Sequence, residues 1–129
     1  MSELPEQRRV GIAVERRGYR EGWRAHEFAA RQVAKLAEEL WELSEHVGLP
    51  GALPLQLRVA GQAGKQAFDN EQCWGGGQVF DVGQAKRELS DIVVVALALA
   101  DVLDEIAPPF DVVAEAVAKA EADVERGVR

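Results

Sequence analysis

The stretch that decides the fold is ELSDIVVVALALADVLDEI, running from Glu88 to Ile106. Wound as a helix at about 100° per residue, Leu89, Ile92, Val93, Val94, Val95, Leu97, Leu99, Val102 and Leu103 leave almost no polar side before Asp101 and Asp104. A helix that is apolar all round must be covered all round, and three shorter neighbours from one chain are too few to do it. The expectation is an all-α protein that assembles as a homodimer or homotetramer. The unbroken apolar run, Ile92 to Ala100, is nine residues long, whereas a bilayer span takes about 20. This helix is therefore not a membrane anchor. Its expected start is Val82 or Gln84, and Pro108-Pro109 stops it just past Ile106.

Working outward, a second long helix is expected over residues 24–47. Leu36, Leu40, Leu43 and Val47 recur there at spacings of four, three and four, the stripe of an amphipathic helix. Gly48 closes it and Pro50 blocks a restart. A short helix over residues 6–16 precedes it, and Gly18 and Gly22 interrupt the chain around Tyr19 and Trp23. Asp111 reads as the N-cap of a last helix, residues 112–126, ended by Gly127. Between the two long helices lies residues 49–84, read as an irregular or helical insertion. Leu55 to Phe68 has helical character, although Gly61 and Gly64 each weaken it by about 1 kcal/mol relative to alanine. The glycine-rich segment around Trp74 reads as a loop. The expected architecture is one domain over residues 1–129, a four-helix bundle carrying this insertion.

Composition narrows the function. The chain has 129 residues and a formal charge of −7 at pH 7. That field repels a nucleic-acid backbone, and no basic stripe or aromatic platform offsets it, so no nucleic-acid partner is expected. Cys73 is the single cysteine, which rules out an intramolecular disulfide and a cysteine-type zinc site. With no apolar run behind the N-terminal charges, the expectation is a cytoplasmic protein without a membrane partner.

The chemistry-bearing residues fall in three groups. In Lys35-Leu36-Ala37-Glu38-Glu39-Leu40-Trp41-Glu42-Leu43, the spacings of three and four project Glu38, Glu39 and Glu42 from one side of a helix, next to the leucine stripe. Glu88 and Asp91, three apart, open the most apolar segment of the chain, where an unpaired charge is costly. Two helices offering carboxylates from core-bordering sides suggest one shared site, whose mutual repulsion a cation would relieve. All the donors are hard oxygens, which points to Mg²⁺ or Mn²⁺ and to a phosphate-anhydride or ester substrate. The third group, Lys119, Asp123 and Arg126, lies on one side of the last helix and offers cations for phosphate oxygens. Lys35 and Trp41 are further candidates for substrate contact, although Trp41 lies beside the leucine stripe, where a core or interface role is the more natural reading. Trp74 is read as either a contact over the site or a loop anchor. Taken singly, each group also has a plain reading, as a solvated acidic face or as surface ion pairs. What favours chemistry is that two acidic motifs occur together.

With these motifs in hand, Glu38-Glu39-x-x-Glu42 followed by Glu88-x-x-Asp91 resembles the EExxE…ExxD signature of the MazG-like all-α NTP pyrophosphatase superfamily. Lys119-x-x-x-Asp123-x-x-Arg126 resembles the family's closing K-x-x-x-N-x-x-R, with aspartate where asparagine is usual. The resemblance implies a MazG-like helical bundle that hydrolyses nucleoside triphosphates between the α and β phosphates, with Mg²⁺, as a dimer or tetramer. By it, Glu39, Glu42, Glu88 and Asp91 hold the metal, Glu38 orients or deprotonates the attacking water, and Lys119 and Arg126 contact phosphates. The long separation of the two motifs departs from the family pattern, and the insertion is read as a cover for the site or a decoration. A phosphoribosyl-ATP-type pyrophosphatase and a non-catalytic helical module that binds a metal or nucleotide are the alternatives.

Overall fold

The computed structural model describes residues 4–18, 21–70 and 81–126, without the side chain of His26. Within them the chain forms α1 (Glu6–Arg16), α2 (Ala25–Ser44), α3 (Leu53–Asp69), α4 (Val82–Leu103) and α5 (Val112–Arg126), and no strand. The all-helical class expected from the sequence is what the structure shows. Tyr19, Cys73, Trp74, Gly75-Gly76-Gly77 and Gly127 lie outside the described residues.

Two compact units emerge, one from residues 22–78 and the other from residues 1–21 with 79–129. In the first, α2 and α3 form an antiparallel hairpin. The two glycines that weaken α3 as an isolated helix are what let it approach α2. A Cβ on Gly61 would stand 2.7 Å from Cγ and 2.9 Å from Cε3 of Trp41, and one on Gly64 would stand 2.9 Å from the Ala37 Cβ and collide with the Ala34 carbonyl. Segment 53–69 is thus not irregular. It is the second arm of the hairpin, with Pro54 in its first turn, where a missing N–H costs nothing.

At the open end of the hairpin the core contains a charge. Arg31 is 5% exposed, and its guanidinium carbon lies 4.5 Å from the centroids of both the Trp23 and Phe68 rings. Its Nη2 donates to the Phe68 carbonyl at 2.6 Å. Trp23, just before α2, is not read from the sequence as part of either long helix. It packs on Arg31 of α2, because a planar guanidinium can stack on aromatic faces while its edge donates hydrogen bonds.

In the second unit α1 packs on α5, and Ala13 and Val117 are buried. Arg9 Nη2 bridges the pair to Glu121 Oε1 at 2.7 Å. The Asp111 carboxylate accepts from the backbone N–H groups of Val113 (2.9 Å) and Ala114 (3.1 Å), so it caps α5 as expected. Asp81 caps α4 in the same way, accepting from Gln84 N at 3.0 Å.

Both long helices stop three residues short of the ends expected from hydropathy. α2 closes at Ser44 because His46 N turns back to Leu43 O (3.0 Å) and the Ser44 hydroxyl donates to Trp41 O (2.6 Å). α4 closes at Leu103 with Ile106 N on Leu103 O at 3.0 Å. Such tight three-residue turns prolong the apolar pattern beyond the α-helix itself. The left-handed glycine that redirects the chain after α2 is Gly51, with φ +63, rather than Gly48.

No helix of the described residues is long and apolar enough to cross a membrane. From Val82 to Ala98 every residue of α4 is exposed, with Val95 at 68%.

Candidate metal centre

α2 carries a charged stripe at helical spacing: Arg31, Lys35, Glu38 and Glu42, separated by four, three and four. The positive members lie toward the N-terminus and the acidic ones toward the C-terminus, where Glu45 extends them. This order opposes the helix dipole, whose negative end is at the C-terminus, and the last turn of α2 holds no basic residue. Four carboxylates therefore occupy a field that is already negative.

Their environments differ. Glu38 is 7% exposed, and its Oε1 accepts from Lys35 Nζ at 2.8 Å. The same ammonium lies 3.7 Å from Glu39 Oε1 and 5.3 Å from the centre of the Phe68 ring. Partial burial pushes the Glu39 carboxyl above the ordinary glutamate range. Repulsion from Glu42 and Glu38 and a hydrogen bond shared with Glu42 add to this, while Lys35 pulls the other way. One ammonium thus serves two carboxylates, and Glu42 beside them is exposed.

The other sequence-derived residues fall as follows. Glu88 and Asp91 are on α4 and exposed, and Glu88 Oε1 accepts from Gln84 Nε2 at 2.8 Å. The expectation that they border a buried face is not met within the chain, because the apolar residues around them are themselves exposed: Leu89 is 48% accessible and Ile92 50%. On α5, Lys119 is exposed, while Asp123 is held by two arginines, Arg126 from its own helix and Arg17 Nη1 from the end of α1 at 3.8 Å. A carboxylate can join two guanidinium groups in this way where an amide would not. Trp41 is half-buried with its ring against Gly61, which is the packing reading of that residue. Phe68, at the end of α3, is buried in the hairpin.

Among the described residues, no group of three or more His, Cys, Asp or Glu side chains is gathered at metal-binding geometry. Glu39 and Glu42 stand in one unit of the chain and Glu88 and Asp91 in the other. A cavity of about 460 Å³ lies between α1 and α5, walled by Glu6, Arg9, Asp111, Val117 and Glu121 among others. None of the residues the sequence singles out for chemistry lines it.

Sequence reasoning missed Arg31. Its position one turn before Lys35 on the charged stripe was the available signal, but its burial depends on Phe68, 37 residues away. No protein-family model, curated protein or solved structure matches the chain.

Proposed function

We propose that this chain is a Mg²⁺-dependent nucleoside triphosphate pyrophosphohydrolase of the MazG-like all-α kind, releasing the monophosphate and pyrophosphate. The observation that supports it is the charge imbalance on α2. Glu38 and Glu39 share a single lysine, no ion pair reaches Glu42 among the described residues, and burial together with repulsion from Glu42 raises the Glu39 carboxyl above the ordinary range. An oxygen-only donor set of this kind suits Mg²⁺ or Mn²⁺.

In this reading Glu39 and Glu42 from α2, with Glu88 and Asp91 from α4 of the same or a second copy, hold the cation. When bound, the cation polarises phosphoryl oxygens and acidifies a water. Glu38 is already fixed in orientation by Lys35, and in this role it accepts the proton of the attacking water. The Lys35 ammonium is then the nearest group to neutralise charge as it develops. Lys119 and Arg126 offer guanidinium and ammonium donors to the β and γ phosphate oxygens. Asp123 positions Arg126 through their ion pair. Trp41 contributes by keeping α2 and α3 in register, through its packing on Gly61.

The test is product analysis. Purified protein is incubated with a panel of ribo- and deoxyribonucleoside triphosphates and phosphoribosyl-ATP, with Mg²⁺ or with EDTA. The expected products are a nucleoside monophosphate and pyrophosphate, formed only with the metal. Release of orthophosphate without pyrophosphate overturns the proposed bond cleavage. Absence of turnover across the whole panel overturns the enzyme reading.

A further inference from the structure

We propose that Arg17, the C-terminal cap of α1, is a positioning residue for anion binding at the end of α5: it keeps Asp123 paired while Arg126 exchanges that carboxylate for a phosphate oxygen. The inference deepens the hydrolase reading and rests on its assignment of Lys119 and Arg126 to phosphate. All four residues belong to the unit formed by residues 1–21 and 79–129.

The geometry separates an inner partner of Asp123 from an outer one. The two carboxylate oxygens go to different elements: Oδ2 faces Arg17 Nη1 at 3.8 Å, and Oδ1 accepts from Arg126 Nη2. The Asp123 side chain is 22% exposed and that of Arg17 15%, whereas that of Arg126 is 66% exposed. Arg17 is thus the enclosed member, and Arg126 is the one that an incoming ligand reaches. One turn earlier on the same side of α5, Lys119 is exposed, and no ion pair reaches it among the described residues. The acid nearest in sequence between them, Glu121, is engaged by Arg9 at 2.7 Å.

An enclosed second arginine changes what Arg126 can do. With Arg126 as its only partner, Asp123 would be stranded largely out of water whenever Arg126 turned to a ligand, and that cost would count against binding. With Arg17 in place, the carboxylate keeps a charged partner after Arg126 leaves. Arg126 then trades one oxyanion for another, and a guanidinium pairs with carboxylate and phosphate oxygens through the same forked donors. Charge argues the same way. The chain carries −7 and repels a phosphate on average, so an anion needs a place where guanidinium groups outnumber the carboxylate between them.

The experiment titrates inorganic tripolyphosphate with the full-length protein, in EDTA at low salt, and follows the phosphorus NMR shifts and line widths. Without metal or nucleotide, the result does not depend on the carboxylates of α2 and α4. Arg17→Met should weaken binding about fivefold, the order expected for one nearby unit charge at partial exposure. Arg17→Lys, which keeps the charge, should stay within about twofold of wild type. Asp123→Asn should tighten binding, because it releases Arg126. The double variant Arg17→Met with Asp123→Asn should bind at least as well as wild type, whereas a purely structural Arg17 would leave it no better than Arg17→Met alone. If Arg17→Met fails to fold, Asp123→Asn decides by itself. No binding by wild type, weaker or unchanged binding in Asp123→Asn, or failure of Asp123→Asn to reverse Arg17→Met each overturns the proposal. This order of affinities in a protein that turns over no nucleotide strikes the hydrolase reading alone, and turnover without this order strikes the exchange alone.

Discussion

Replacing glycine by alanine in this protein should change sign from helix to helix, and the sign can be worked out in advance. In an exposed helix interior the exchange stabilises by about 1 kcal/mol, because alanine loses less backbone entropy on folding. Gly11 of α1, although half-buried, has room for the methyl: an added Cβ meets nothing nearer than the Arg8 Nη1 at 3.9 Å, the end of a flexible side chain. Gly61 and Gly64 of α3 are different. At Gly61 the new methyl would press into the Trp41 ring at 2.7–2.9 Å, and at Gly64 it would meet the Ala34 carbonyl and the Ala37 Cβ. The Trp41 atom nearest the new methyl at Gly61 is its Cβ, which, like the Ala34 carbonyl, cannot move without the helix. Overpacking costs about 1–3 kcal/mol. Set against the propensity gain of about 1 kcal/mol, Gly61→Ala and Gly64→Ala should each destabilise by up to about 2 kcal/mol. Gly11→Ala should stabilise by 0.5–1 kcal/mol, on the order of the propensity difference alone. Urea unfolding followed by circular dichroism and tryptophan fluorescence reads all three. If Gly64→Ala proves as stabilising as Gly11→Ala, α3 does not lie against α2 as described.

Further expectations concern the buried charge, the titration and the α5 ion pairs. Arg31→Met should cost about 2–4 kcal/mol, since it removes a charge-assisted hydrogen bond to Phe68 O and two ring contacts, and Arg31→Lys should not recover the loss because an ammonium cannot stack flat; denaturant titration of both variants checks this. Because Glu39 holds its proton above the ordinary range in the folded chain, the folded state binds more protons than the unfolded one between the two values. Metal-free stability should therefore fall as pH rises through that window. Mg²⁺ competes with that proton, so its apparent affinity should rise over the same window, and calorimetry in buffers of different ionisation enthalpy should detect proton release; a pH-independent affinity would contradict the assignment. Asp123→Asn should lower stability by about 1 kcal/mol through loss of its pairing with Arg17 and Arg126, seen as a lower Tm.

Much of this architecture was readable from local pattern. The bounds of α1 and α5 follow from composition and capping alone, and the Asp111 cap is a property of four consecutive residues. The acidic side of α2 was readable for the same reason, since spacings of three and four are enough to place Glu38, Glu39 and Glu42 together. Long-range contacts were not readable. Gly61 and Gly64 look like defects in a helix until Trp41 and Ala34 are placed beside them, and Arg31 looks like a surface residue until Phe68 and Trp23 enclose it. Hydropathy also overran the ends of α2 and α4, because it cannot tell an α-helix from the tight turn that follows it. Whether the carboxylates of α2 and α4 meet is likewise a property of assembly and not of spacing.

The proposed cation site draws ligands from both α2 and α4, and Mn²⁺ binding by single variants shows whether both contribute. Titrating Mn²⁺ into the protein and counting the free ion by electron paramagnetic resonance gives the site's affinity without any substrate. Glu42→Gln on α2 and Asp91→Asn on α4 should each remove the same tight site, with the fold intact by circular dichroism. Wild-type Mn²⁺ affinity in Asp91→Asn, alongside its loss in Glu42→Gln, would show that α2 binds alone and would contradict the shared centre.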